Sequence, residues 1–168
     1  MSPTTTFDSE LVAMLPRLRR FAHTLSKNGT DADDLTQATV ERALRSRTQW
    51  QDGTRLDSWL YRIMRNLWID TSRARARRTR VEAPEEEAER IGEDPRDAIE
   101  ASIELQRMTA AMQRLPEEQR EVVSLILVAG FGYREAAEVL GLPIGTVSSR
   151  LVRGRTALLQ LVGGYNDN

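Results

Sequence analysis

Along most of this chain of 168 residues, apolar side chains recur at the spacing of one helix face. Leu11, Val12 and Leu15 form a first apolar segment, and Leu18, Phe21, Ala22 and Leu25 a second, with Pro16 between them. A proline inside a helix removes a backbone donor and crowds the preceding turn, which predicts a kink or a break at Pro16. Asp8 is placed to cap the first segment, and SKNGT at 26–30 reads as a turn. Thr30 suits the N-cap of the next helix. Asp31, Asp33 and Asp34 then fall in its first turn, where carboxylates complement the helix dipole. In that helix Leu35, Thr39, Val40, Ala43 and Leu44 share one broad side, and Asp34, Gln37, Ala38, Glu41 and Arg45 the other. Periodicity alone makes the second side a solvated face. WQDGT at 50–54 is a loop, since Asp-Gly marks a turn.

The following segment carries the cleanest stripe of the N-terminal half: Leu56, Trp59, Leu60, Ile63, Met64 and Leu67. Tyr61, Arg65, Trp68 and Ser72 stand opposite it. Aromatic rings interleaved with arginine on an outward face are costly unless they meet something. Two partners fit, namely single-stranded nucleic acid stacking on the rings, or the first helix packed against them. The segment then runs out in SRARARRTR, too charged for a core.

Composition changes abruptly at VEAPEEEAERIGEDP, residues 81–95, whose glutamates, prolines and glycine mark a flexible acidic linker. Pro95 opens a helix through Ile99, Ile103, Met108 and Met112. Pro116 starts the next, with Glu117 and Glu118 in its first turn, Val122, Val123, Ile126 and Leu127 on its apolar side, and Gly130 as its stop. YREAAEVLGLPIGTVSSRLVRGR at 133–155 then reads as two short helices around a tight turn. Gly141 supplies the left-handed residue a helix end often needs, and Pro143 is tolerated in the first turn that follows. Ala137, Gly141 and Val147 are spaced as a helix-turn-helix requires: a small residue at the crossing, a glycine in the turn, an apolar anchor in the second helix. Val147, Leu151 and Leu158 can face inward, which leaves Thr146, Ser149, Arg150 and Arg153 for phosphates and base edges. A plain helical hairpin with a basic solvated face is the alternative, and GTVSSRLVRGR favours DNA. The tail after Leu161 should fray.

The fold class is therefore all-α: two small helical domains joined by a flexible acidic linker, the C-terminal one a helix-turn-helix domain. Net charge is −1, but the average hides a basic block, Arg62 to Arg80, beside an acidic one, Glu82 to Glu104. Without cysteine there is no disulfide and no thiolate metal site or nucleophile, and His23 is the lone histidine. No cofactor, metal site or catalytic constellation is expected. No secretory segment or apolar run near ~20 residues stands out, so no membrane insertion and a cytoplasmic location are expected.

Four stretches in order, DADDLTQATVERAL, SWLYRIMRNLWIDTSRARARR, LPEEQREVVSLI and YREAAEVLGLPIGTVSSRLVRGR, resemble the bacterial RNA polymerase sigma factors of the extracytoplasmic-function (ECF) group. The likeness spans roughly 7 to 161, and PRLRRFAHTL and GTRLDSWL are similar to the alphaproteobacterial general-stress subgroup. The resemblance implies a region-two domain at 7–80, an acidic linker at 81–95 and a region-four domain at 96–162. It implies a non-enzymatic protein that binds core RNA polymerase, through the clamp of the largest subunit and the flap of the second-largest, and directs initiation at promoter DNA. Asp34, Gln37 and Glu41 would meet the clamp, which reassigns the face read above as solvated. The 50–57 loop would cradle a flipped base of the −10 element. Trp50, Thr54, Arg55, Arg62, Arg65, Asn66 and Arg73 would contact that element or its backbone. Thr146, Ser148, Ser149, Arg150, Val152 and Arg153 would lie in the major groove of the −35 element. Two positions depart from the pattern: Ala38 stands where relatives often carry an acid, and Ser148 where many carry a base. An anti-sigma factor covering both domains is the implied regulator. Two other classes are open: a sigma-like decoy that sequesters an anti-sigma factor, and a stand-alone helix-turn-helix regulator.

Overall fold

The computed structural model describes residues 3–51, 53–79 and 99–163. Helices α1 (Pro3–Leu25), α2 (Gly29–Arg45) and α3 (Leu56–Thr79) form the N-terminal half, with a 3-10 turn at Arg47–Gln49. The C-terminal half contains α4 (Ile99–Arg114), α5 (Glu117–Val123) continuing into a π turn at Ser124–Val128, α6 (Tyr133–Leu140) and α7 (Ile144–Gly163). Among the described residues the regular structure is helical throughout. The acidic linker and the C-terminal tail lie outside the described residues.

Several local expectations change. Helix α1 runs unbroken through Pro16, which is exposed, so the missing backbone bond falls on the side open to water. Because α1 starts at Pro3, Asp8 lies inside it and pairs with Arg47 instead of capping. The α2 cap is Asn28 and not Thr30: its side chain accepts from the Asp31 amide at 2.8 Å. Met14 enters the core where Val12 was expected, and Leu44 points outward. In the C-terminal half Leu125 is buried, whereas Leu127 is exposed. The π turn causes that exchange. It widens one turn, with the Ala129 amide bonding to the Ser124 carbonyl at 2.9 Å, and so shifts the register of the apolar stripe. Ile103 and Met108 of α4 are likewise exposed.

The N-terminal core is built from Phe7, Leu11, Leu18, Phe21, Leu25, Leu35, Leu56, Leu60 and Met64. Each such burial contributes about 1.5–3 kcal/mol against chain entropy. The C-terminal core joins Met112, Leu115, Val122, Val123, Leu125, Val139, Leu140, Val147 and Leu151. There α5 and α7 cross closely at Gly154, where an added Cβ would sit 2.8 Å from Val123 Cγ2 and 3.2 Å from Gln119 Cβ. At the helix-turn-helix corner Gly141 has φ 64°. The Leu142 amide bonds back to the Ala137 carbonyl at 3.0 Å, which closes α6 as the sequence predicts.

The two cores are continuous. Helix α3 lies against α6, and α1 against α4 and the π turn. Tyr61 is the joint: its ring meets Phe21 edge-on at 4.7 Å and Phe131 at 4.9 Å. Across the same seam Arg17 Nη2 donates to the Ala129 carbonyl at 2.7 Å, and Gln113 Nε2 to the Ser26 carbonyl at 2.7 Å.

Candidate nucleic-acid interface

Three polar surfaces carry the residues singled out from the sequence. The first is the outer face of α2. Asp34, Gln37 and Glu41 are all exposed there, while Ala32, Leu35, Thr36, Thr39 and Ala43 are buried opposite. The inward hydroxyls are satisfied within the helix, Thr36 donating to the Ala32 carbonyl and Thr39 to the Leu35 carbonyl. Asp31 anchors the start of α2 to the end of α3. Arg75 grips it with two bonds of 2.6 Å, and these hold its carboxyl below the ordinary carboxylate value although burial pulls it up.

The second surface runs from the 50–57 loop along α3. Trp50 packs on Phe7 with ring centroids 5.3 Å apart, and Thr54 is exposed with its hydroxyl on the Gln51 carbonyl. Asn66 and Arg73 are exposed. The other arginines of this face are engaged by the C-terminal half. Arg55 binds Asp57 at 2.6 Å, pairs with Glu135 of α6 and lies over the Phe131 ring at 5.5 Å. Arg62 Nη2 reaches the Glu138 carbonyl at 3.4 Å. Arg65 Nε donates to Glu121 at 2.7 Å. Glu121 is 7% exposed, and burial raises its carboxyl above the usual range despite the Arg65 bond. Asp57 goes the other way: burial pushes it up, but the Arg55 bond, the Ser58 amide and the Arg55 charge together leave it lowered.

The aromatic face of α3 thus follows one of the two expectations in part. Tyr61 is fully buried and Trp68 nearly so. Tyr61 meets α1, as one alternative held, but equally meets Phe131, and Trp68 lies under the Arg120 guanidinium at 5.9 Å. Neither ring is open to a base. Phe131, Glu121 and Glu135 were missed by sequence reasoning. The one signal was Glu121 directly before Val122 and Val123, a charge at the edge of an apolar run.

The third surface is the outer side of α7. Val147, Leu151 and Gly154 are buried against the rest of the domain. Val152, Ser149 and Arg153 are exposed, Thr146 and Ser148 half-buried. Ser149 Oγ donates to the Thr146 carbonyl at 3.1 Å. Arg150 sits nearer the inward edge, 3.6 Å from Glu118. The structure therefore brings Arg55, Arg62 and Arg65 onto one seam, leaves Thr54, Asn66 and Arg73 exposed away from it, and keeps the α7 residues on a separate face.

Known proteins divide the chain in the same order. Residues 11–78 match Sigma-70 region 2, and residues 105–158 match Sigma-70, region 4. The ECF RNA polymerase sigma factor EcfG of Rhodopseudomonas palustris is 37% identical over 169 aligned residues, covering 99% of this chain and 92% of that one. The chain belongs to the ECF RNA polymerase sigma factors. SigE of Mycolicibacterium smegmatis is 42% identical to this sigma factor over 154 residues, although the chain spans only 59% of that relative. Among solved structures, the sigma factor RpoE in complex with the anti-sigma factor NepR from Bartonella quintana superposes with a TM-score of 0.84 at 34% identity. It is covered to 99%, and covers 97% of this chain. CnrH in complex with the cytosolic domain of CnrY gives 0.73 at 25% identity, over 99% of this sigma factor and 92% of that chain. Among the described residues no helix is long and apolar enough to cross a membrane.

Proposed function

We propose that this sigma factor docks on core RNA polymerase through α2 and reads promoters with two separate surfaces. Asp34, Gln37 and Glu41 take the clamp. Trp50, Thr54, Arg55, Arg62, Arg65, Asn66 and Arg73 serve the −10 element. Thr146, Ser148, Ser149, Arg150, Val152 and Arg153 serve the −35 element, and the C-terminal half also meets the flap. Exposed Arg153 suits the two acceptors of a guanine edge, and Arg150, tied toward Glu118, suits phosphate. The observation that carries the reading is the exposed strip of Asp34, Gln37 and Glu41, polar side chains on a helix whose opposite side is core, within a chain matched by both sigma regions. The protein works in the cytoplasm and has no chemistry of its own; bond formation belongs to the polymerase. Its domains correspond to 7–80 and 96–162 around the 81–95 linker. The similarity to RpoE and CnrH, both solved with anti-sigma partners, supports an anti-sigma factor as its regulator. The likeness to EcfG supports placement in the general-stress subgroup.

Transcription in vitro with core polymerase on a random promoter library tests this. The expected result is initiation at a defined pair of elements only when the chain is present, lost with Asp34→Lys because core binding weakens. Duplex binding by the free chain with no effect on initiation overturns it in favour of a stand-alone regulator.

A further inference from the structure

Phe7 and Asp8 lie ahead of the segment matched to Sigma-70 region 2, which begins at residue 11. Yet Phe7 is only 1% exposed, and its ring meets both flanks of the 50–57 loop. On the entering side the Trp50 ring lies 5.3 Å away, tilted by 54°. On the leaving side the Trp59 ring, in the first turn of α3, meets it edge-on at 6.2 Å. Arg47 places its guanidinium over the same Phe7 ring at 5.0 Å and pairs with Asp8 beside it. One turn of α1 therefore holds the 3-10 turn, the start of the loop and the start of α3 together.

These contacts fix what hydrogen bonding leaves free. The indole N–H of Trp50 is buried and has no acceptor among the described residues, and the same is true of Arg47 Nε. With no bond to set the plane of the indole, its orientation follows the ring packed against it. Within the loop the order is local. Thr54 gives both its amide, at 3.1 Å, and its hydroxyl, at 2.6 Å, to the Gln51 carbonyl. That bond pair closes the tip but does not set how far apart the ends stand, and Phe7 bridges the ends.

We infer that Phe7 and Asp8 are positioning residues for reading the −10 element: an aromatic staple and an ion pair that hold the 50–57 loop in shape before DNA arrives. This role rests on the reading of Trp50, Thr54 and Arg55 as −10 contacts. A flipped base has already given up its stacking, so a loop that also had to order itself would weaken capture further. A loop braced from outside takes the base without that second loss. Phe7 is buried and touches no DNA; it acts through Trp50 and Trp59.

The test uses holoenzyme and a promoter fork carrying 2-aminopurine, which brightens on leaving the stack, at one −10 position at a time. With wild type, emission should rise at one position. Phe7→Leu keeps a buried apolar side chain but loses the ring, and should cut that rise several-fold. Asp8→Asn, at a half-exposed side chain, leaves the core intact and should lower it less. Asp8→Arg should also lower it, and adding Arg47→Asp should restore it by rebuilding the pair. Leu25→Val, in the same core at the far end of α1, is the control: it should lower the melting temperature with emission unchanged. Core-polymerase affinity and preference at the −35 element should match wild type throughout. Full emission with Phe7→Leu, an equal loss with Leu25→Val, or a swapped pair no better than Asp8→Arg alone overturns the role. The loop reading fails separately if wild type brightens no position, or if it brightens one that Thr54→Val and Arg55→Ala leave just as bright; the brace then has nothing to position.

Discussion

Arg65 on α3 and Arg153 on α7 are arginines on basic helices, and the sequence gives both the same invitation to nucleic acid. In the folded chain they are in different states. Arg65 is part-buried and bound to Glu121, under a seam roofed by Phe131, whereas Arg153 stands on an open face. The difference comes from what lies behind each helix. The side of α3 opposite its core stripe carries Tyr61 and Trp68, too large and apolar to leave in water, so a second domain settles there. The outer side of α7 carries Ser149, Val152 and Arg153, and it is left open, with even Val152 62% exposed. One chain thus holds an arginine-bearing helix face that its own second half covers and another that stands open.

That contrast can be broken most severely at Tyr61. Tyr61→Ala removes the ring that joins both cores and should cost about 3–5 kcal/mol, read as a lower denaturant midpoint. The outward Val152→Ala should stay within ~0.5 kcal/mol of wild type in the same titration. Equal losses at the two positions would erase the distinction between a covered and an open face.

The scaffold of the open face is tested next. Gly154→Ala drives a methyl group into Val123 Cγ2, a branched side chain with little room to turn, and toward Gln119. About 1–3 kcal/mol of destabilisation is expected. A thermal melt with no shift would mean that the α5–α7 crossing can relax.

Function sharpens the comparison further. Arg153→Ala should weaken promoter binding by about 1–3 kcal/mol on preferred sequences and flatten the preference at one upstream position, with stability almost unchanged. Arg150→Ala should weaken all upstream variants about equally and lower the salt slope. Binding across upstream variants at two salt concentrations separates them, and a uniform loss for Arg153→Ala would reverse the assigned roles.

The smallest effect is expected from the exposed end of the N-terminal half. The Arg75 grip lowers the Asp31 carboxyl, and the Arg55 pair lowers that of Asp57. A lowered folded value means that the unfolded chain takes up protons first. The stability these groups add is present above the ordinary carboxylate value of 3.8 and drains away as pH falls from there through the lowered value. Asp31→Asn should therefore flatten the acid limb of the unfolding curve and cost at most about 1 kcal/mol at neutral pH, as half-exposed ion pairs do. An unchanged acid limb would show that the Arg75 grip contributes nothing to folding.

What could be read directly from the residues was local. Apolar spacing places α2, α3, α6 and α7 because helix periodicity is written in the chain itself. Gly141 marks the helix-turn-helix corner, since few other residues accept φ 64°. Asp34, Gln37 and Glu41 separate from the core by the same periodicity. What failed needed a neighbour distant in sequence. Pro16 could remain in α1 because its side faces solvent, and Leu125 replaced Leu127 because a π turn shifted the register. The fate of Tyr61, Arg55 and Arg65 rested on Phe131, Glu135 and Glu121, each more than fifty positions along the chain. A helix's period says which side chains share a face. It carries no information about which distant face will cover them, because that choice depends on the shape and charge of both surfaces at once, and only the tertiary structure brings them together.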